Sequence, residues 1–138
     1  MKGTKGSDLA CHRSFTIALR HSVVLPSLRK ASGYFTVGDL CRFAMALQSH
    51  KLLDAAHTEL LLTGKVDTGR GPDKYAFGFL NTNEDGMDCF GNGGGAPGKN
   101  GDLKVCFKDG YVIAVLANID PPAAQHESTF ILNRLPLN

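Results

Sequence analysis

The stretch Phe90-Gly91-Asn92-Gly93-Gly94-Gly95-Ala96-Pro97-Gly98-Lys99-Asn100-Gly101 holds six of the chain's 16 glycines. Glycine is used where the backbone needs φ > 0, or where another group must come close. A run this dense is not expected inside a strand or a helix. It lies between two apolar, strand-like runs, residues 75–90 and 103–118. The stretch therefore reads as the end of one strand and a tight, exposed crossing into the next. Backbone N–H groups at such a place are free to meet a ligand.

On its C-terminal side, residues 103–107 and 111–118 flank Lys108-Asp109-Gly110. Asp-Gly is a strong hairpin signal, because a type I′ turn needs φ > 0 at both central positions. Tyr111-Val112-Ile113-Ala114-Val115-Leu116-Ala117 is apolar on both faces. Such a strand belongs in the middle of a sheet covered on both sides. Pro121-Pro122 ends it, and residues 123–135 read as a helix with Ala124, Ile131 and Leu135 among its apolar positions.

On the N-terminal side, residues 75–80 and 87–90 read as strands around a hairpin loop, 81–86, and residues 65–74 as a polar loop. Thr36-Val37-Gly38-Asp39 resembles a capping box with Asp in the acidic place. Val37, Leu40, Cys41, Ala44 and Leu47 then recur at helical spacing, which predicts a helix fading near Ser49-His50 with Leu40 and Leu47 buried against the sheet. Asp54 is placed to cap a second helix through Leu62, with Gly64 as its C′ residue. Residues 14–20 alternate, with Phe15, Ile17 and Leu19 on one side, as a strand does. Val23-Val24-Leu25 continues that strand or forms a second, and residues 1–10 are expected to be mobile.

A chain of 138 residues is expected to form a single domain, 1–138, with a real core. A net charge of +2, with no basic stripe, argues against nucleic acid as a partner. No apolar run approaches the roughly 20 residues of a membrane span. Residues 1–7 are polar with no apolar region behind them, so no secretion signal is read and a cytoplasmic location is expected. Cys11, Cys41, Cys89 and Cys106 show no C-x-x-C spacing and read as buried or half-buried thiols in a reducing compartment. A Cys89–Cys106 contact across neighbouring strands stays open. His12, His21, His50, His57 and His126 show no metal spacing, so no metal and no cofactor are expected. Asp102, Asp109, Asp120 and Glu127 can be drawn as acid/base pairs, but turn and cap duties account for at least Asp109.

Five segments in order resemble a known family. Residues 33–43, Gly-Tyr-Phe-Thr-Val-Gly-Asp-Leu-Cys-Arg-Phe, resemble the GGYFSTVxDLxRF segment of the serine beta-lactamase and DD-peptidase-like hydrolases, in the class C beta-lactamase and esterase-related branch. Lys51-Leu52-Leu53 is similar to the GKLLS that follows there. Tyr75-Ala76-Phe77-Gly78-Phe79 resembles its YGYGF strand, and residues 91–98 resemble GHGGGAPG. Residues 111–122 resemble GYVVVVLSNxDPPAA. The resemblance runs from about residue 31 to the C-terminus. It implies an α/β domain of α+β type, with helices packed on an antiparallel sheet like the C-terminal portion of that fold.

The resemblance also implies a division of labour. The family uses a Ser-x-x-Lys motif for the acylated serine, a Tyr-x-Asn motif for proton transfer, and a Lys-Thr-Gly or His-x-Gly motif on a strand beside the serine. The first two precede the matched region, and the chain is too short upstream to hold them. The third corresponds to Asn92-Gly93-Gly94, where the family's cation is an amide. An amide can hydrogen-bond a carboxylate but does not attract it as a cation does. The N–H of Gly95 matches a donor of the family's oxyanion hole.

Ser27-Leu28-Arg29-Lys30 also fits Ser-x-x-Lys, but Pro26 and Ser32-Gly33 leave room for barely one helical turn, so Ser27 and Lys30 are the weaker catalytic candidates. Gly93-x-Gly95-x-x-Gly98 spells a dinucleotide fingerprint, yet it leads into a strand rather than a helix. A sharp crossover with no ligand accounts for the glycines equally well. Three functions are therefore carried forward. One is a non-catalytic relative binding a small ligand or partner at Asn92, Gly93, Gly94 and Gly95. Another is a serine hydrolase completed by Ser27 or by a second chain. The third is a pure assembly module. A homodimer is expected to cover sheet edge and apolar surface that a short chain leaves open.

Overall fold

The first helix begins as its local sequence requires. The Thr36 side chain accepts a hydrogen bond from the Asp39 amide, and the Asp39 carboxylate accepts from the Thr36 amide at 2.8 Å. Helix α1 (Val37–Gln48) then ends in a left-handed residue, His50 at φ 54, with the Lys51 amide bonded to the Ala46 carbonyl at 2.9 Å. The second helix, α2 (Ala55–Leu62), starts at Asp54, whose carboxylate accepts from the His57 amide at 2.8 Å. Gly64 is not a left-handed C′ residue, because its φ is not positive. It is glycine for space: a Cβ there would lie 2.5 Å from Cβ of Lys74.

The computed structural model describes residues 14–18, 35–84 and 86–136. Besides α1 and α2 they form β1 (Ser14–Ala18), β2 (Val66–Asp67), β3 (Lys74–Tyr75), β4 (Leu80–Glu84), β5 (Met87–Ala96), β6 (Lys99–Cys106), β7 (Tyr111–Ala117) and α3 (Ala123–Leu132). The strands make one sheet in the order β1-β7-β6-β5-β4-β3-β2. From β2 to β7 every pairing is antiparallel, and β1 joins β7 in parallel. This is the expected α+β architecture, an antiparallel sheet with helices packed on it. The readings of residues 1–10, Val23-Val24-Leu25, Ser27 and Lys30 lie outside the described residues.

Several expectations are corrected. The polar loop at 65–74 contains the short edge strands β2 and β3. The hairpin loop at 81–86 is mostly strand: β4 runs to Glu84, which pairs with Met87, and Gly86 has φ 87. The Asp109-Gly110 turn exists but is not type I′, because only Gly110 has φ > 0 there. The largest correction concerns the glycines. Gly91, Gly93, Gly94 and Gly95 lie inside β5, and the crossing is only Pro97-Gly98, between the paired residues Ala96 and Lys99. An extended backbone suits glycine when neighbouring groups forbid a side chain.

Both faces of β7 are covered, as its composition requires. Ile113, Val115 and Ala117 pack with Ala124 and Leu132 of α3. Val112 and Ala114 pack with Cys41, Ala44 and Leu47 of α1. Leu40 is only half-buried, unlike Leu47, which is 1% exposed. Cys89 and Cys106 are not thiols. They stand one step beyond the Phe90–Val105 pair, 4.2 Å apart at Cα, and form a disulfide, while Cys41 stays outside it and is buried. Among the described residues, no helix is long and apolar enough to cross a membrane.

Candidate functional site

The direction of each peptide group in β5 follows from the disulfide position. In an antiparallel ladder, pairs that exchange no hydrogen bonds are the close ones, about 4.5 Å at Cα against about 5.5 Å for bonded pairs. The Cα separation of 4.2 Å marks Cys89–Cys106 as a close, non-bonded pair. Counting along the register, Phe90, Asn92, Gly94 and Ala96 bond to β6, while Cys89, Gly91, Gly93 and Gly95 aim their N–H and C=O the other way. For Cys89 and Gly91 that direction holds β4, paired as Thr82–Cys89 and Leu80–Gly91. Strand β4 begins at Leu80, so among the described residues Gly93 and Gly95 have no strand partner there. Their two N–H and two C=O groups form an edge that is free among the described residues.

Side chains alternate across the same strand. Gly91, Gly93 and Gly95 lie on the face that α3 covers. A Cβ on Gly91 would strike the backbone carbonyl of Leu103, and one on Gly93 would strike the Asp102 carboxylate. A Cβ on Gly95 would meet the Lys99 carbonyl at 2.5 Å and Pro121 at 2.7 Å. A Cβ on Gly94, on the opposite face, would meet nothing within 4 Å.

That open face is the floor of a groove of about 1160 Å³. One wall is the start of α1, with Phe35, Thr36, Asp39 and Leu40, and Leu116 and Leu103 continue the floor. Phe35 is 54% exposed, so part of the wall is apolar and accessible. The Asp39 carboxyl is held down to about 2 by hydrogen bonds from the Thr36 amide and hydroxyl and from Arg42. Asn92 is exposed, and its amide donates to the Gly78 carbonyl at 3.0 Å. Lys99, opposite Ala96, lies on the groove and is its one described lysine or arginine.

Asn92, Gly93, Gly94 and Gly95 are thus brought together on one strand, in two roles. Gly93 and Gly95 present hydrogen-bonding groups at the edge, and Asn92 and Gly94 face the groove. Of the acidic candidates, Asp102 and Asp120 serve structure. Asp102 lies beneath α3 and accepts a hydrogen bond from Ser128, and Asp120 accepts from the Gly98 amide at 2.6 Å. Sequence reading missed Lys99, Asp39 and Asn100 as parts of this region.

No family model and no curated protein matches the chain. Among solved structures, it is similar to the crystal structure of penicillin binding protein from Bacillus halodurans, with a TM-score of 0.62 and 23% identity. The match covers 71% of this chain and 29% of that one. The chain therefore has a penicillin-binding-protein-like fold and spans under a third of the length of that neighbour.

Proposed function

We propose that this protein binds an extended, carboxylate-bearing peptide or acyl ligand along the free edge of β5, without turning it over. The observation that carries the reading is the pair Gly93 and Gly95, whose N–H and C=O groups are unmatched by any strand among the described residues and border an open groove. An extended ligand backbone satisfies such groups by adding a strand. Lys99 supplies the positive charge that Asn92 lacks. The fold likeness supports a relation to beta-lactamase-like proteins, and the sequence resemblance supports Gly95 as a donor to a carbonyl oxygen.

The test uses N-acetyl-D-alanyl-D-alanine and benzylpenicillin on the full chain. Amide resonances of Gly93 and Gly95 should move on titration, with no mass adduct and no hydrolysis of a chromogenic beta-lactam. A covalent adduct that disappears in Ser27→Ala would replace this reading with the serine hydrolase. The free edge also favours a second reading, pairing with another copy of the chain, since unpaired edges and exposed Phe77, at 58%, promote association. A monomeric mass by light scattering at tens of micromolar would remove it.

A further inference from the structure

Helix α3 begins without a cap of its own. Its N-cap residue is Pro122, which has no side-chain hydrogen bond to offer. The missing acceptor comes from another element: Oδ1 of Asn100, on β6, accepts from the Ala124 amide at 2.6 Å. The same side chain donates from Nδ2 to the Gly94 carbonyl at 2.9 Å. Asn100 is 5% exposed, so both bonds are shielded from water. A buried amide left half-bonded is costly, which makes the two bonds mutually dependent. The contacts around it converge on one corner. Pro121 abuts Gly95, and Asp120 holds the Gly98 amide.

We infer that Asn100 is the positioning residue of the glycine edge: it fixes the plane of the Gly94–Gly95 peptide, and with it the aim of the Gly95 donor, by tying that strand to the first turn of α3. The inference rests on the binding role given above for the edge. Glycine backbones are the softest in rotation, so three in a row on a half-unpaired strand need an external tether to hold one direction. Main-chain pairing with β6 supplies part of that tether. The Asn100 amide adds a bond to the Gly94 carbonyl from the side, at the residue between the two donors.

Two variants separate capping from positioning. Asn100→Asp keeps an acceptor for the Ala124 amide, and a helix N-terminus favours its negative charge. It loses the donor to Gly94 and sets a carboxylate against that carbonyl. Asn100→Ala loses both bonds. Amide-exchange protection at Ala124 should stay within about twofold of wild type in Asn100→Asp and fall in Asn100→Ala. Protection at Gly94 and Gly101, and the Gly94 carbonyl carbon shift, should change in both, with protection down about tenfold. Affinity for N-acetyl-D-alanyl-D-alanine should fall at least tenfold in Asn100→Asp at neutral pH. An unchanged Gly94 shift and unchanged Gly94 and Gly101 protection in Asn100→Asp would overturn the assignment. If the wild type ignores the dipeptide, the binding role fails, while the exchange and shift data still decide what Asn100 does.

Discussion

On the α3 face of β5 and β6, Gly91, Gly93 and Gly95 lie under groups that leave no room for a Cβ. One residue away, on the other face, Gly94 has open space above it. The two faces of β6 differ as sharply. Asn100, Asp102 and Lys104 face α3 and bond to the Ala124 amide, the Ser128 hydroxyl and the Thr129 hydroxyl. Leu103 and Val105 face the α1 side and bury apolar surface. At β6, one side is closed by a polar seam along a helix, and the other is closed by apolar packing only as far as Leu103. The same residue type is thus kept for opposite reasons. On the closed face glycine makes room for the protein, and on the open face a Cβ would meet nothing within 4 Å.

The largest loss of stability is expected at Gly91. Gly91→Ala drives a methyl into the Leu103 carbonyl, and neither backbone can yield without opening the β5–β6 pairing. The expected loss lies in the exceptional class above about 4 kcal/mol. Denaturant unfolding measures it, and a loss below about 1 kcal/mol would show that the ladder can slide.

The apolar side gives the next effect. Leu47 is 1% exposed and meets the Val112 and Ala114 face of β7. Leu47→Ala should cost about 3 kcal/mol, as lost burial plus a residual cavity. Leu40→Ala should cost less than half of that, because Leu40 is half-buried at the groove wall. Equal losses at the two positions would mean that the groove is closed in solution.

These two faces differed in how legible they were. The helix starts at Thr36 and Asp54 were readable because capping is local: residue, acceptor and amide lie within three positions of each other. The buried face of β7 was readable from an unbroken apolar run. The glycine strand was misread because its cause is distant. Nothing near Gly93 in sequence reveals Gln125 of α3, 32 positions on, whose amide nitrogen would stand 2.8 Å from a Cβ at Gly93. The site residues 92–95 were named as one group, yet their split into edge donors and groove floor needed the register. Asn100 had one usable signal. Asn100, Asp102 and Lys104 alternate with Leu103 and Val105 at period two, and a polar stripe on a strand with an apolar reverse face must meet a polar partner.

The polar seam should show itself through pH. Burial pushes the Asp102 carboxyl above the usual carboxylate value, against the opposing pull of the Ser128 hydrogen bond and nearby Lys104, and Glu84 pushes the same way as burial. Gln125 faces it as a neutral group. Between the unfolded and folded pKa values, the native state keeps a proton that the unfolded chain has released. Stability from this group therefore falls as pH rises through that window and is flat above it. Asp102→Asn, a neutral copy of the protonated form, should gain on wild type as pH rises from about 4. Asp39→Asn should behave oppositely. Its carboxyl is held down to about 2 by bonds that stabilise the charged form, so the wild-type advantage is lost as pH falls from about 4 toward 2. Paired thermal melts across pH read both slopes, and slopes of the same sign would overturn the contrast.

The smallest expected change in stability is the most informative about function. Gly94 is exposed, its φ is not in the left-handed region, and a Cβ there would touch nothing within 4 Å. Gly94→Ala should therefore leave stability within about 0.5 kcal/mol of wild type. The added methyl stands on the groove floor beside the edge, where the side groups of a strand-paired ligand would lie. Affinity for N-acetyl-D-alanyl-D-alanine should then drop while the melting curve stays in place. Ser at the same position, larger and polar, should lower it further. A variant that binds as well as wild type would show that the ligand does not cross this face of β5. One that unfolds more easily would show that the open side of the strand is already occupied by the protein itself.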